Sequence, residues 1–580
     1  MQSVFYKLHE LIYPPKTPFP DQAKDTFLGG VRLRDVPGSI DDFYRLLFAD
    51  FRRRWGWLDW FKISPSHILP KNRFVSYSEF MEAFTKRSTA FDNLKEKYPI
   101  YRLANLNTHT QQDDFIRSYE TKGLDGYFYF MGKKNPRMFQ IFHQWHRAYI
   151  PAKEKGRHTY IIGKAGSGKS ELMKNLIIQD IKKNDSCVIV LEPSGDLSIE
   201  LARQKDLDRD RLIYIDCSIT PATPVINPIE LIQDTTDHLL VQTQAQIIRD
   251  TLVQMCNLNG QPLTAQMQSV LQPCLDVVVE NGGSLYDIQR FVDETTDNSD
   301  LVELGKQHPK HGYFFQQRFD RKNLNESKNG IYQKLQQILG LSSVSDFFCG
   351  KTTIDLPAAI EQNKVIIFNL SKGHLGTFGS LYIGRMVIAI LQNLIFQRAK
   401  IEKSARTPIR LYIDEFHDYI TKSMEEIFVQ GRKYKVDLTV ATQTAGQGMD
   451  TQMAHAVLSN TNVKFAGQND YRNTKTMSNE TGTELEVLNK LQVGEFLTRI
   501  SNGQAFVLTS STEHLDDKTC ISPEEWEKVL EEQISRYYIP RENLVPPAPP
   551  GLITNKTQAT RATTPKQSGK DDEIFTPLYE

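Results

Sequence analysis

Apolar residues in the middle of the chain arrive in short, β-branched blocks. "TYIIG" (159–163), "SCVIVLE" (186–192) and "RLIYID" (211–216) are separated by polar and glycine-containing stretches, and the first is followed by the helical run "KSELMKNLIIQDIKKN". The same alternation resumes at "NKVIIFNL" (363–370), then a helix at "LYIGRMVIAILQNLIFQRAK", then "IRLYIDEFHDYI" (409–420) and "VDLTVAT" (436–442). Two further short strands are predicted at "NVKFAGQ" (462–468) and "QAFVLTS" (504–510). Strands alternating with helices of this length predict an α/β fold with a parallel sheet.

Between the two blocks the period changes. "HLLVQTQAQIIRDTLVQM" and "NGIYQKLQQILGL" repeat apolar residues every three or four positions, so 236–349 is expected to be an all-α insertion in a fold whose α/β parts are 151–235 and 350–535. Residues 1–150 form a further unit, rich in aromatics and expected to be α-rich, in a docking or accessory role. Phe43, Leu46, Leu47 and Phe51 stand at helical spacing ahead of Trp55, Trp57 and Trp60. Arg52–Arg54 beside these aromatics fit either helix packing or a docking and nucleic-acid surface. From 536 to 580 Pro, Thr and Lys predominate, and a disordered tail is expected.

Charge adds one asymmetry. The 580 residues are formally neutral, but 1–150 hold 23 Lys and Arg against 16 Asp and Glu. This excludes a histone-like basic binder and confines any nucleic-acid contact to a local groove or pore. Six scattered cysteines with no C-x-x-C pair argue for reduced thiols rather than a zinc site. The N-terminus lacks a signal-peptide pattern, and Arg385 and Gln392 interrupt the most apolar helix, so no membrane insertion is expected.

The chemistry begins at "GKAGSGKS". Gly163, Lys164, Ala165, Gly166, Ser167, Gly168, Lys169 and Ser170 match G-x-x-x-x-G-K-S/T between a predicted strand and a predicted helix, the context that motif requires, and Glu171 follows. The glycines let backbone N–H groups converge on phosphate, and the helix N-terminus adds its dipole. Lys169 is expected to reach the β- and γ-phosphates of ATP, and Ser170 to ligate Mg²⁺. At the end of "LYIDEFHDYI", Asp414 can hold the magnesium shell while Glu415 activates water, which favours hydrolysis over simple binding. His417 is assigned no role. Gln443, ending the following strand, is expected to face the γ-phosphate and the lytic water. Arg432 and Lys433 precede that strand, at its far end, where they suit a neighbouring subunit's site or a solvated turn.

Six segments together, "GKAGSGKS", "EPSGDL", "DRLIYIDCS…PVINPIE", "KVIIFNLSKGHLG", "LYIDEFHDY" and "GRKYKVDLTVATQ", give a resemblance over 157–235 and 350–515. The chain resembles the HerA–FtsK superfamily of hexameric pumps, and within it the coupling proteins of conjugative type IV secretion. That resemblance implies a RecA-like P-loop core, an ATP and Mg²⁺ site built by Lys169, Ser170, Asp414, Glu415 and Gln443, and Arg432 as an arginine finger acting in trans. It further implies a homo-hexamer threaded by DNA, with the loop from Gly446 to Gln452 and Lys372 and His374 facing the channel. Arg318, Arg321, Lys322 and Lys328 offer a second surface, or a solvated helix face. A relaxase and membrane secretion-channel subunits are the implied partners, with a cytoplasmic location, peripheral at most to the inner membrane face. Two departures stand out. The family's basic residue is missing from "EPSG" (Glu192–Gly195), and the family's transmembrane start is not seen. A HerA-like motor acting with a nuclease, an assembly ATPase that never touches DNA, and a non-motor regulatory NTPase remain open.

Overall fold

The computed structural model describes residues 25–32, 145–230, 238–257, 262–446, 448–501, 505–512 and 519–544. Trp55, Trp57, Trp60, Arg52–Arg54 and the Pro- and Thr-rich end of the chain lie outside them.

Among the described residues of the first 150 are two strands, β1 (Thr26–Arg32) and β2 (Trp145–Ile150). The P-loop strand β3 (Thr159–Ile162) leads into α1 (Lys169–Lys183). Then come β4 (Cys187–Glu192), α2 (Asp196–Ala202), β5 (Leu212–Asp216) and the short β6 (Ala222–Pro224). The insertion contributes helices, the longest being α3 (His238–Asn257), α4 (Ala265–Glu280) and α5 (Asn325–Leu339). The sheet resumes with β7 (Val365–Asn369), the long α6 (Lys372–Gln397), β8 (Ile409–Ile413), α7 (Lys422–Gln430) and β9 (Val436–Thr442). It closes with β10 (Val463–Ala466), α8 (Tyr471–Thr481), β11 (Glu495–Ile500), β12 (Phe506–Ser510), α9 (Pro523–Tyr537) and β13 (Tyr538–Pro540).

Among the described residues, eleven strands make one sheet in the order β2-β1-β12-β11-β10-β3-β9-β8-β4-β7-β5. From β10 to β5 every pairing is parallel; β11, β12, β1 and β2 extend that edge as an antiparallel meander. The P-loop strand is therefore interior, between β10 and β9. Successive residues of β4 feed opposite cores, as period-two geometry demands. Cys187, Ile189 and Leu191 pack with α6 and the insertion, whereas Val188 and Val190 pack with α1.

The sheet reaches beyond the boundaries read from sequence. Strands β1 and β2, grouped there with the N-terminal unit, pair with the ATPase sheet. Gln179 of α1 fastens β1: its Nε2 donates to Phe27 O at 2.6 Å and its Oε1 accepts from Phe27 N at 2.7 Å. Helix α9 crosses the boundary at 536, and β13 beyond it pairs antiparallel with β6. Strand β11 had no separate sequence signal.

The segment Lys372–Lys400 is the one stretch among the described residues long and apolar enough to cross a membrane by length and composition, more so than Arg385 and Gln392 had suggested. In the fold it is a core helix, 89% buried over its most apolar window. Gly376 (φ 71°, ψ 163°) breaks its first turns from the rest.

Candidate active site

The loop 163–168 joins β3 to α1 in the tight path that the sequence requires. Gly166 and Gly168 take φ values of 74° and 94°, where a side chain would strain the backbone. A Cβ on Gly168 would also come within 3.2 Å of Gly494. The loop is braced from two later turns: Lys164 N donates to Gln468 O at 2.8 Å, and Gly494 N donates to Ser167 O at 3.0 Å. Lys164, Ala165 and Gly166 are exposed at the crest, while Ser167 and Lys169 are buried. Lys169 folds over the loop, its Nζ 3.4 Å from Lys164 O.

Parallel pairing brings the strand ends onto one edge. Asp414 N donates to Leu191 O, so the acid pair continues β8 directly beside β4. Ser170 Oγ stands 3.4 Å from Asp414 Oδ2. Gln443 Nε2 donates to Glu415 Oε1 at 2.7 Å. The P-loop, Asp414, Glu415 and Gln443 thus converge at the carboxyl edge of the sheet, where α/β proteins bind ligands. Glu415 sits in the left-handed region (φ 45°, ψ 49°), a strained conformation for a glutamate, and opens the turn Phe416–Tyr419. Burial pushes Asp414 up to about 6, with the charges of Glu415 and Glu192 adding to it.

The donor set suits a magnesium nucleotide. A hydroxyl and a carboxylate face each other at Ser170 and Asp414, and both are hard oxygen ligands. Ser167 Oγ is buried without a hydrogen-bond partner among the described residues, at a loop whose glycines leave room for an anion.

Arg432 is not brought to this cluster. It is exposed on the turn Gly431–Tyr434, before the first residue of β9, whereas Gln443 follows the last. Seven strand residues separate the ends by roughly 23 Å. The two loops implied to face a channel lie at the sheet's carboxyl edge. Gly446 and Gly448 are exposed after β9, and His374 is exposed, but Lys372 pairs with Asp418 at 2.5 Å. Lys328 does not share a surface with Arg318, Arg321 and Lys322. Its side chain is buried over the Phe319 ring, 4.2 Å from the centroid, and reaches Glu294.

Other supporting residues carried no sequence assignment. Asn469 Nδ2 donates to Gln443 O at 2.8 Å, and Asn473 Oδ1 accepts from Ala445 N at 2.8 Å, so the turn after β10 fixes the one after β9. The string "GQND" at a strand end (467–470) was the available signal. Glu192 is fully buried, and its carboxylate accepts from Gly195 N and Ser198 Oγ. It is consumed in holding its own turn, which fits the absence of a catalytic assignment.

Two family models match the chain. "Helicase HerA, central domain" matches residues 146–377, and "TraM recognition site of TraD and TraG" matches 408–528. The solved structure of the bacterial conjugative coupling protein TrwBdeltaN70 is similar at 11% identity and a TM-score of 0.48, covering 63% of this chain and 87% of that one. TrwB with the ATP analogue ADPNP gives 13% and 0.47 over the same shares. VirB4 of Thermoanaerobacter pseudethanolicus gives 16% and 0.43, covering 66% and 95%. No curated protein matches.

Proposed function

From the premise that this chain is a P-loop ATPase of the HerA–FtsK superfamily, with TraG-like sequence over 408–528, we propose that it is a DNA-translocating motor of conjugative transfer. The observation that carries the reading is the convergence of the P-loop with Asp414, Glu415 and Gln443 on one sheet edge. The first family model matches a helicase domain, which supports nucleic acid as the object moved. The second matches a recognition region for TraM, which supports docking of a protein partner on 408–528.

In this reading Lys169 unfolds from the Lys164 carbonyl onto the β- and γ-phosphates. Ser170 and Asp414 would hold Mg²⁺, which would offset the phosphate charge. Glu415 takes a proton from the attacking water once Gln443 releases its Oε1. Gln443 is able to make that exchange because one amide serves carboxylate, phosphate or water. Arg432 serves the neighbour's site in a six-membered ring, where a trans arginine contributes roughly 10³–10⁵ in rate. DNA passes the channel loops, and the ring repeats each lysine around it, so a neutral chain suffices. Contact with secretion-channel subunits would place the ring at the inner membrane face.

Hydrolysis by purified protein is measured with and without single- and double-stranded DNA, with Lys169→Ala as the inactive control. Stimulation by DNA is expected. An unchanged rate, with Lys169→Ala inactive, would leave the ATPase standing and remove the translocase.

A further inference from the structure

The turn that bears Arg432 is fastened from the loop that follows α6. Arg406 Nη1 donates to Lys433 O at 2.7 Å, and Arg398 Nη1 donates to Tyr434 O at 3.0 Å. The fastening runs both ways: Lys435 Nζ donates to Ser404 O and to Arg406 O, each at 2.9 Å. Both guanidinium groups are themselves tied down. Arg406 Nε donates to Ile401 O at 3.0 Å, and its Cζ lies 5.3 Å from the centroid of the Tyr434 ring. Arg398, 4% exposed, also donates through Nη2 to Thr407 O. Phe396, near the end of α6, packs on the same tyrosine with 5.5 Å between ring centroids.

What the loop holds is main chain. Lys435 N closes the turn onto Arg432 O at 3.2 Å, with Lys435 in the left-handed region at φ 58°. The Arg432 side chain is left out: it is exposed and makes no hydrogen bond or ion pair among the described residues. Hydrogen bonds from a charged donor are roughly twice as strong as neutral ones, and a planar fork fixes direction as well as distance. All three side chains that grip the turn are cationic, so repulsion disfavours Arg432 folding back onto them. A fixed backbone below a free guanidinium leaves only side-chain entropy to be lost on contact.

We propose that Arg406 is a positioning residue: with Arg398 it fixes the main chain of the turn, so that Arg432 is presented outward to a neighbouring subunit's nucleotide. Arg406 touches neither the nucleotide nor the Arg432 side chain, and acts only through Lys433 O and the Tyr434 ring. The inference rests on Arg432 as a trans arginine and deepens that reading by naming what aims it.

Hydrolysis by the full-length chain is measured for wild type, Arg406→Ala, Arg406→Lys, Arg432→Ala and Glu415→Gln, alone and in pairwise mixtures. Arg406→Ala should lower kcat by roughly 10²-fold, the scale on which a misplaced group costs rate, and leave KM for ATP unmoved, because only a transition-state contact is lost. Arg406→Lys keeps the charge and the stem, and takes over the test if the alanine variant does not fold. It should stay well below wild type, since an ammonium lacks the fork that reaches two carbonyls while lying on the ring. Mixing separates aim from support. The Arg406 variant with Glu415→Gln should recover activity, since the first keeps an intact acid and the second a braced arginine. The same variant with Arg432→Ala should recover none, since neither supplies an aimed arginine. Any other pattern overturns the proposal, including the reverse one expected if Arg406 served its own subunit's nucleotide. Wild-type kcat in both Arg406 variants, beside an impaired Arg432→Ala, overturns the brace and leaves the trans arginine standing. Wild-type activity in Arg432→Ala removes the trans reading and the brace together.

Discussion

Asp414 is the side chain in the site whose burial costs most when charged. The residue is 6% exposed, and its carboxyl is pushed up to about 6 by desolvation, then by Glu415 and Glu192. The folded state therefore binds the proton more tightly than the unfolded chain, where an aspartate titrates near ~3.9. Native stability should fall as pH rises through about 4 to 6 on this account, and stay lowered above it. Nucleotide-free Asp414→Asn should consequently be more stable than wild type at pH 8, by about 1–3 kcal/mol, with the gap closing near pH 4. Denaturant melts at both pH values check this. Adding magnesium nucleotide should reverse the order, because only the carboxylate gains a cation. The residue itself was legible in the sequence, as the acid that ends a strand. Its burial was not, because the strand beside it, ending in Glu192, is distant in the chain.

At the scale of elements, His158 joins three pieces that the sequence does not place together. It precedes β3 with φ 57°, Leu438 N of β9 donates to its Nδ1 at 3.0 Å, and its Nε2 lies 3.2 Å from Phe428 O at the end of α7. With Nδ1 accepting, Nε2–H donates to that carbonyl, so the ring is neutral in the fold. Burial lowers it to about 4. An unfolded histidine takes up its proton near ~6.5, so this contribution is complete above that pH and is lost as pH falls toward 4. Wild type should lose about 2–3 kcal/mol more than His158→Gln between pH 7.5 and 4.5, the opposite trend to Asp414. Equilibrium unfolding of both proteins across that range separates the two groups. A second junction is the buried Lys155–Asp180 pair, which Tyr412 Oη joins at 2.6 Å. Asp180→Asn strands a buried ammonium and should cost about 3–5 kcal/mol, read as a lowered denaturation midpoint. Neither junction is marked by a motif, since each depends on which strands become neighbours.

For the whole molecule, the distance between Arg432 and Gln443 is the informative quantity. One strand, β9, separates them, and its length keeps the arginine away from its own subunit's nucleotide edge. A role in hydrolysis thus requires a second copy. Mixing Arg432→Ala subunits with Glu415→Gln subunits should recover part of the activity that each variant lacks, since in the proposed ring one kind of mixed interface would pair the intact acid with the intact arginine. Hydrolysis no higher than that of the separate variants would count against the trans role.

The chain's own pattern determined the repeating strand–helix order, the P-loop, the acid pair and the glutamine after the next strand. Each is set by neighbours within a few residues, where turn chemistry and side-chain period act directly. Tertiary structure decided the rest. It recruited β1 and β2 from the first 150 residues, because an open sheet edge gains hydrogen bonds from any strand that fits it. It buried Lys328 and Glu192, and it paired Lys372 with Asp418. The Lys372–Asp418 contact joins residues 46 apart in sequence, and only parallel pairing of β7, β4 and β8 brings their loops to one edge.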